Sequence, residues 1–374
     1  MASMRTGLPS RSREGQGPAR GGGAVVRWSL RWLPLLLLML FFALGLRQAV
    51  RASITFDEGP HLAIGYATLR TGDLRLQPIH IHPPLANALA AAPLLLQDDL
   101  PDPRAVDGWE IASLSAVTDA VVWSYPEPRR IAVAGRVPIL LLGVLVGALV
   151  YRWAHGVAPH GLRGRWAGLL ALALVALDPN AIAHAALITT DTAAVLLSLA
   201  TLYVLERFLK ASQGRRRRVW GLVATGVLLG LAQLTKVSAL MLAPVMGLLL
   251  LIGALEERRS HLSTTAAVGR FALVIAVAAI VVWAGYGFEI GRIEEVTLPV
   301  PAATHVRIYQ SLNEHYELGH PTFALGRVSD HGWWWYFALA FLVKTPLPTL
   351  LLALGALILG ASRSVRRMAA SRSV

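Results

Sequence analysis

The chain contains no cysteine. Disulfide bonds and thiolate metal sites are therefore excluded. Charge is also scarce. Asp, Glu, Lys and Arg make up 15% of the 374 residues, against about a quarter in soluble domains. There is no Walker loop, dinucleotide-binding glycine fingerprint or zinc-protease helix motif. No internal repeat is visible.

Apolar residues are abundant, at 55% of the chain. They recur in runs of roughly 16 to 22 residues, long enough to cross about 30 Å of hydrocarbon. The expected fold is an all-α polytopic membrane protein with about eight transmembrane helices. The spans fall near 32–50, 133–153, 164–187, 191–209, 219–235, 237–255, 270–288 and 334–360. Asp178-Pro179-Asn180 interrupts the third, and proline there ends or kinks the helix. The run from Trp32 to Leu46 lacks a following small-residue cleavage site and reads as a retained first span. Residues 1–31 are rich in Arg, Gly and Ser and read as a disordered basic tail.

The net charge of +13 has a topological explanation. With the N-terminus in the cytoplasm, the inner segments hold about 22 of the 35 Lys and Arg, including Arg215-Arg216-Arg217-Arg218. Short inner loops rich in Lys and Arg are what the positive-inside rule requires. Both termini are then cytoplasmic, and residues 361–374 form a second tail. Two long loops, 51–132 and 289–333, face outward and belong to one transmembrane domain, 32–360. The outer side receives Asp57, Glu58, Asp191, Lys236 and eight of the 11 histidines. Chemistry is therefore expected on the outer, extracytoplasmic face. Leu85 to Leu96 is apolar but too short to span, and reads as a helix lying at the interface. Trp333-Trp334-Trp335-Tyr336 reads as an aromatic belt beside the last span.

Each polar residue of these loops has two readings. Thr55-Phe56-Asp57-Glu58 fits a capping box, which accounts for Glu58 but not for Asp57. An aspartate in a first helical turn is held ionised by the helix dipole, and an ionised carboxylate at a bilayer surface can act as a general base. His80 and His82 can face the same way on an extended segment enforced by Pro83-Pro84. A metal there needs further ligands; the plainer reading is polar residues that hold the turn into the interfacial helix. Asp191 follows Thr189-Thr190 at a helix start, where a threonine cap is the structural reading. Asp178 and His184 share that loop and could line one cavity with it. Lys236 lies at a tight outer turn and either snorkels or binds a lipid phosphate. Lys344 and Arg136 invite the same question.

The order Asp57-Glu58-x-x-His61, Gly65, Leu69, Gly72 and His82-Pro83-Pro84-Leu85 resembles the first outer loop of protein O-mannosyltransferases. These belong to the polyprenyl-phosphate-dependent glycosyltransferases of the GT-C fold. The resemblance extends through Asp178-Pro179-Asn180, Thr190-Asp191, Gly230, Leu234-Thr235-Lys236 and Gly326 to Trp334, with Lys344-Thr345-Pro346, from about residue 30 to 360. Asn87 stands where family members often carry Lys or Arg. The chain stops about 14 residues past the last span, where relatives usually continue, and reads as a short member or a fragment.

The resemblance implies a GT-C-like bundle with interfacial helices in the first outer loop. It implies an inverting transfer of sugar, mannose at the family level, from a polyprenyl phosphate to a hydroxyl of protein Ser/Thr, lipid or glycan. Asp57 would be the catalytic base and Lys236 the cation at the carrier phosphate. Glu58, His61, His82, Arg136 and Asp191 would bind substrate. The histidines leave room for a divalent metal; no other cofactor and no nucleic-acid partner is expected. A transporter or flippase of the same lipid-linked sugar is the alternative reading, and a catalytically inactive scaffold the third.

Overall fold

The computed structural model describes residues 22–158, 161–210, 215–257, 264–293, 296–317, 319 and 321–371. Most of the expected N-terminal tail lies outside the described residues. Its last part is helical and continuous with the first span, α1 (Gly22–Arg51). The first outer loop holds α2 (Glu58–Thr71), α3 (Pro84–Ala91) and the short α4 (Leu114–Thr118). The bundle follows with α5 (Pro128–Val157), α6 (Leu162–Ala176), α7 (Pro179–Ala185), α8 (Asp191–Lys210), α9 (Arg215–Gln233), α10 (Leu242–Glu257) and α11 (Thr264–Gly285). Two antiparallel hairpins, β1 (Ile290–Ile293) with β2 (Val296–Pro301) and β3 (Thr322–Ala324) with β4 (Arg327–Ser329), flank α12 (Ala303–Glu317) in the second loop. The chain ends in α13 (Tyr336–Lys344) and α14 (Leu347–Ser371).

Five helices among the described residues are long and apolar enough to cross a membrane, or seven if each bent pair is one span. The eighth expected span is the shorter apolar stretch Val219–Gln233 of α9. The fold is an all-α polytopic membrane protein. Proline decides both bends. Asp178 caps α7, its Oδ1 accepting from the amides of Asn180 (2.7 Å) and Ala181 (3.3 Å), so α6 and α7 meet at 64°. The expected span at 334–360 is not one straight helix but a bent pair. Pro346 forces Thr345 into extended backbone, and α13 and α14 meet at 111°.

Small residues set the helix distances. In α9, a Cβ on Gly230 would lie 2.8 Å from the Ala278 carbonyl of α11, so only glycine permits that approach. In α2, a Cβ on Gly65 would lie 2.1 Å from the Asn87 carbonyl. The expected interfacial helix therefore packs on α2, burying Ala86, Asn87, Ala90 and Ala91. Leu62, Ile64, Leu94, Val121, Ile139 and Ile188 form the core beneath it. A further cluster, with Leu234, Val237, Tyr286 and Ile308 packed against Leu74 and Leu85, joins the two outer loops to α9 and α11.

Candidate active site

The end of α1, the starts of α2, α5 and α8, and the end of α9 meet at one end of the bundle. Arg136 of α5 fastens the first four. Its guanidinium donates to both carboxylate oxygens of Glu58 (2.8 and 2.7 Å) and to the carbonyls of Ala49 (2.6 Å), Ala52 (3.0 Å) and Ser53 (2.8 Å). Glu58 also accepts from the amide of Ile188 (3.0 Å), just before α8, and from the amide (2.8 Å) and hydroxyl (3.1 Å) of Thr55. Both side chains are shut off from solvent, at 1% and 0% exposure. Burial alone would raise the Glu58 carboxyl, but the Arg136 contact and the two amides outweigh it and hold it below the usual value. The expected capping box is thus half present. Glu58 reaches back to the Thr55 amide, but the Thr55 hydroxyl donates to Glu58, and α2 starts at Glu58 itself.

Asp57, one residue earlier, is exposed and helical in backbone (φ −73°, ψ −23°), and its side chain caps nothing. Its charge acts on His80. His80 and His82 do not lie on an extended segment. His80 ends a one-turn 3-10 helix, Pro78–His80, and Ile81 takes left-handed backbone (φ 59°, ψ 22°). A β-branched residue there is strained, at a cost of about 1–3 kcal/mol. The turn brings His80 and His82 against His61 of α2, with ring centroids 4.5 to 5.2 Å apart. Asn87 Oδ1 lies 2.7 Å from Nδ1 of buried His61. Burial and mutual repulsion push all three imidazoles down to about 4.

Lys236 enters from the opposite side, in extended backbone after α9, and pairs with Asp191 at the first position of α8. The pair stays partly open, at 32% and 46% side-chain exposure. Both charges act on His82. The amide of Leu85 donates to the Leu234 carbonyl (2.8 Å), tying the His-Pro-Pro turn to the end of α9. Thr189 and Thr190 do not cap Asp191 through their hydroxyls, and Thr189 Oγ1 is buried without a partner. From Asp191 a cavity of about 410 Å³ runs between the helices, lined by Phe41, Val146, Val175, His184 and Val195. His184 therefore shares the Asp191 cavity as expected, while Asp178 serves as a helix cap. A second, polar cavity of about 850 Å³ opens between the outer loops, lined by Arg75, Arg104, Glu289 and Arg307 among others.

The structure thus gathers Asp57, His61, His82, Asp191 and Lys236 around one imidazole cluster and seals Glu58 and Arg136 beneath it. Lys344 sits at the bend before α14, its carbonyl bonded by Asn180 (2.7 Å), which lines the Asp191 cavity. Sequence reasoning missed Asn87 as the partner of His61. It also missed Tyr309, whose hydroxyl donates to Gln233 (2.9 Å) at the end of α9; no local signal marks either pair.

A multi-pass helix bundle with a carboxylate, imidazoles and an ammonium converging at one end defines the class: a membrane protein with a polar site at the bundle rim. The family model of dolichyl-phosphate-mannose-protein mannosyltransferase, a domain of the GT-C type, matches residues 128–293. The match supports glycosyltransferase activity in general, with a dolichyl-phosphate sugar as donor in a membrane setting. It spans α5 to β1 and includes Arg136, Asp191 and Lys236; Asp57, Glu58, His61 and His82 precede it. None of the curated proteins matches the chain.

Proposed function

We propose that the protein transfers mannose, with inversion, from a polyprenyl-phosphate donor to an acceptor hydroxyl on the extracytoplasmic face. The observation that carries the reading is the convergence of Asp57 with the open Lys236–Asp191 pair on one histidine cluster. The acceptor oxygen attacks the anomeric carbon while the bond from that carbon to the phosphate oxygen breaks. The acceptor proton passes to the Asp57 carboxylate. Lys236, held in place by Asp191, takes the charge that develops on the departing polyprenyl phosphate. His61 and His82 border the sugar from one side. Glu58 and Arg136, with every contact internal, act by fixing where α2 starts and so where Asp57 points. The apolar cavity below Asp191 takes the isoprenoid tail, and the polar cavity between the loops suits a hydroxylated acceptor, a protein Ser/Thr in the family-level reading.

Confinement of donor and base to one leaflet lowers the entropy of encounter. The positive-inside arrangement of the arginines supports an outward-facing site. The charged groups gather at the rim, whereas a transporter places them near mid-membrane; this favours transfer over flipping. The test is Asp57→Asn in purified protein with a radiolabelled polyprenyl-phosphate mannose donor. Transfer is expected to fall by about 10²–10⁴-fold, with donor binding retained. An Asp57→Asn enzyme as active as the parent would remove the base assignment.

A further inference from the structure

His61, His80 and His82 share an arrangement that bordering a sugar does not by itself require. Each ring offers a nitrogen, and these nitrogens all lie within 4.8 Å of one another. Among the described residues no hydrogen bond joins the three rings. Nδ1 of His80 is buried and has no partner at all. An orphaned buried acceptor or donor is costly, and native structures fill such a position with water, an ion or a protein group. We propose that these three histidines hold a single late first-row divalent cation, with zinc as the reference case.

The donor set fits that chemistry. Imidazole nitrogens suit zinc, copper, nickel and iron, whereas magnesium and calcium take oxygen. Three protein ligands with an open fourth position match the pattern of zinc sites that keep a place for water or substrate. With Zn–N bonds of about 2.1 Å, tetrahedral ligand nitrogens stand roughly 3.4 Å apart. The ligand nitrogens, now within 4.8 Å of one another, must close to about that spacing around the ion. His80 and His82 flank a single residue of a surface turn, whereas His61 is fixed. Asn87 fixes it. Its Oδ1 can only accept, so the hydrogen sits on Nδ1 of His61 and the lone pair on Nε2. A polar partner on the second ring nitrogen is what metal-bound histidines normally have.

The surrounding charges are mixed. Asp57 acts on His80, and Asp191 and Glu58 act on His61; Asp191 and Lys236 act on His82 with opposite sign. Glu58 is committed to Arg136 and Asp191 is paired with Lys236, which leaves Asp57 as the anion beside the cluster with no cation paired to it. The inference does not rest on the proposed transfer reaction, since binding is read without substrate.

The test uses tag-free, full-length protein in detergent micelles, stripped with chelator and then equilibrated with Zn(II) alone. Elemental analysis is expected to return one zinc per chain, and Co(II) loading is expected to give the visible bands of a four-coordinate nitrogen site. His80→Ala and His82→Gln, both on the partly exposed turn, are each expected to lose the stoichiometric metal. His331→Ala, outside the cluster, is expected to keep it. Asn87→Ala should weaken zinc by about 10- to 100-fold through the loss of the outer partner. Wild-type protein that emerges metal-free, or His80→Ala and His82→Gln variants that bind zinc as the parent does, would overturn the site.

Discussion

Two ion pairs stand a few residues apart in the site and obey different physics. Glu58–Arg136 is sealed, and each member is saturated by backbone as well as by its partner. Lys236–Asp191 is partly open, and the Lys236 ammonium makes no other hydrogen bond among the described residues. Removing one member of a buried pair strands a charge out of water, whereas an exposed pair is held mainly by weak, screened attraction. The contrast separates a group that shapes the site from one free to meet a phosphate.

The largest expected effect follows from breaking the sealed pair. Arg136→Met should cost about 3–5 kcal/mol, read as a lowered melting temperature in detergent. Transfer should fail with it, because α1, α2 and α8 lose their common anchor. A melting temperature equal to that of the parent would show that the two pairs do not differ as described. Next comes Lys236→Met, for which transfer should drop by about 10²–10³-fold with stability changed by less than about 1 kcal/mol. Lys236→Arg should recover part of the rate, and equal losses of rate and stability in Lys236→Met would erase the distinction. Asp191→Asn should do less, raising KM for the donor several-fold while the protein melts as before.

The smallest effect sharpens the comparison through pH. His305, half-buried between Tyr286 and Tyr309, is pushed down to about 4 by desolvation and has no charge partner. Below its ordinary value of 6.5 the unfolded chain takes up a proton that the folded protein refuses. Its contribution to stability is therefore full above that pH and is lost as pH falls toward 4. Glu58 acts in a lower window. Its contribution is full above 4.5 and drains away as pH drops through the depressed folded value. Melting curves of His305→Phe and the parent between these limits should diverge in slope by one proton at most; parallel curves would mean that His305 titrates normally.

Much of the fold was legible in the sequence because apolar run length and proline are local signals. The kink at Pro179 was readable in that way. The break at Pro346 was not, since apolar residues on both sides make 334–360 look like one span. The site was legible as a set of residues but not as a geometry. Glu58 and Arg136 are 78 positions apart, and nothing local says that one buries the other. His80 and His82 looked like a pair on straight chain. The left-handed Ile81 and the close approach at Gly65, which bring His61 to them, are products of tertiary packing.

The backbone hydrogen bond from the Leu85 amide to the Leu234 carbonyl has a mechanical consequence. Any ligand that tugs on the ammonium side also pulls the His-Pro-Pro corner, because the two walls of the pocket are stitched by backbone rather than by adjustable side chains. Capture of a lipid headgroup at one wall is thereby felt at the other without a separate moving lid.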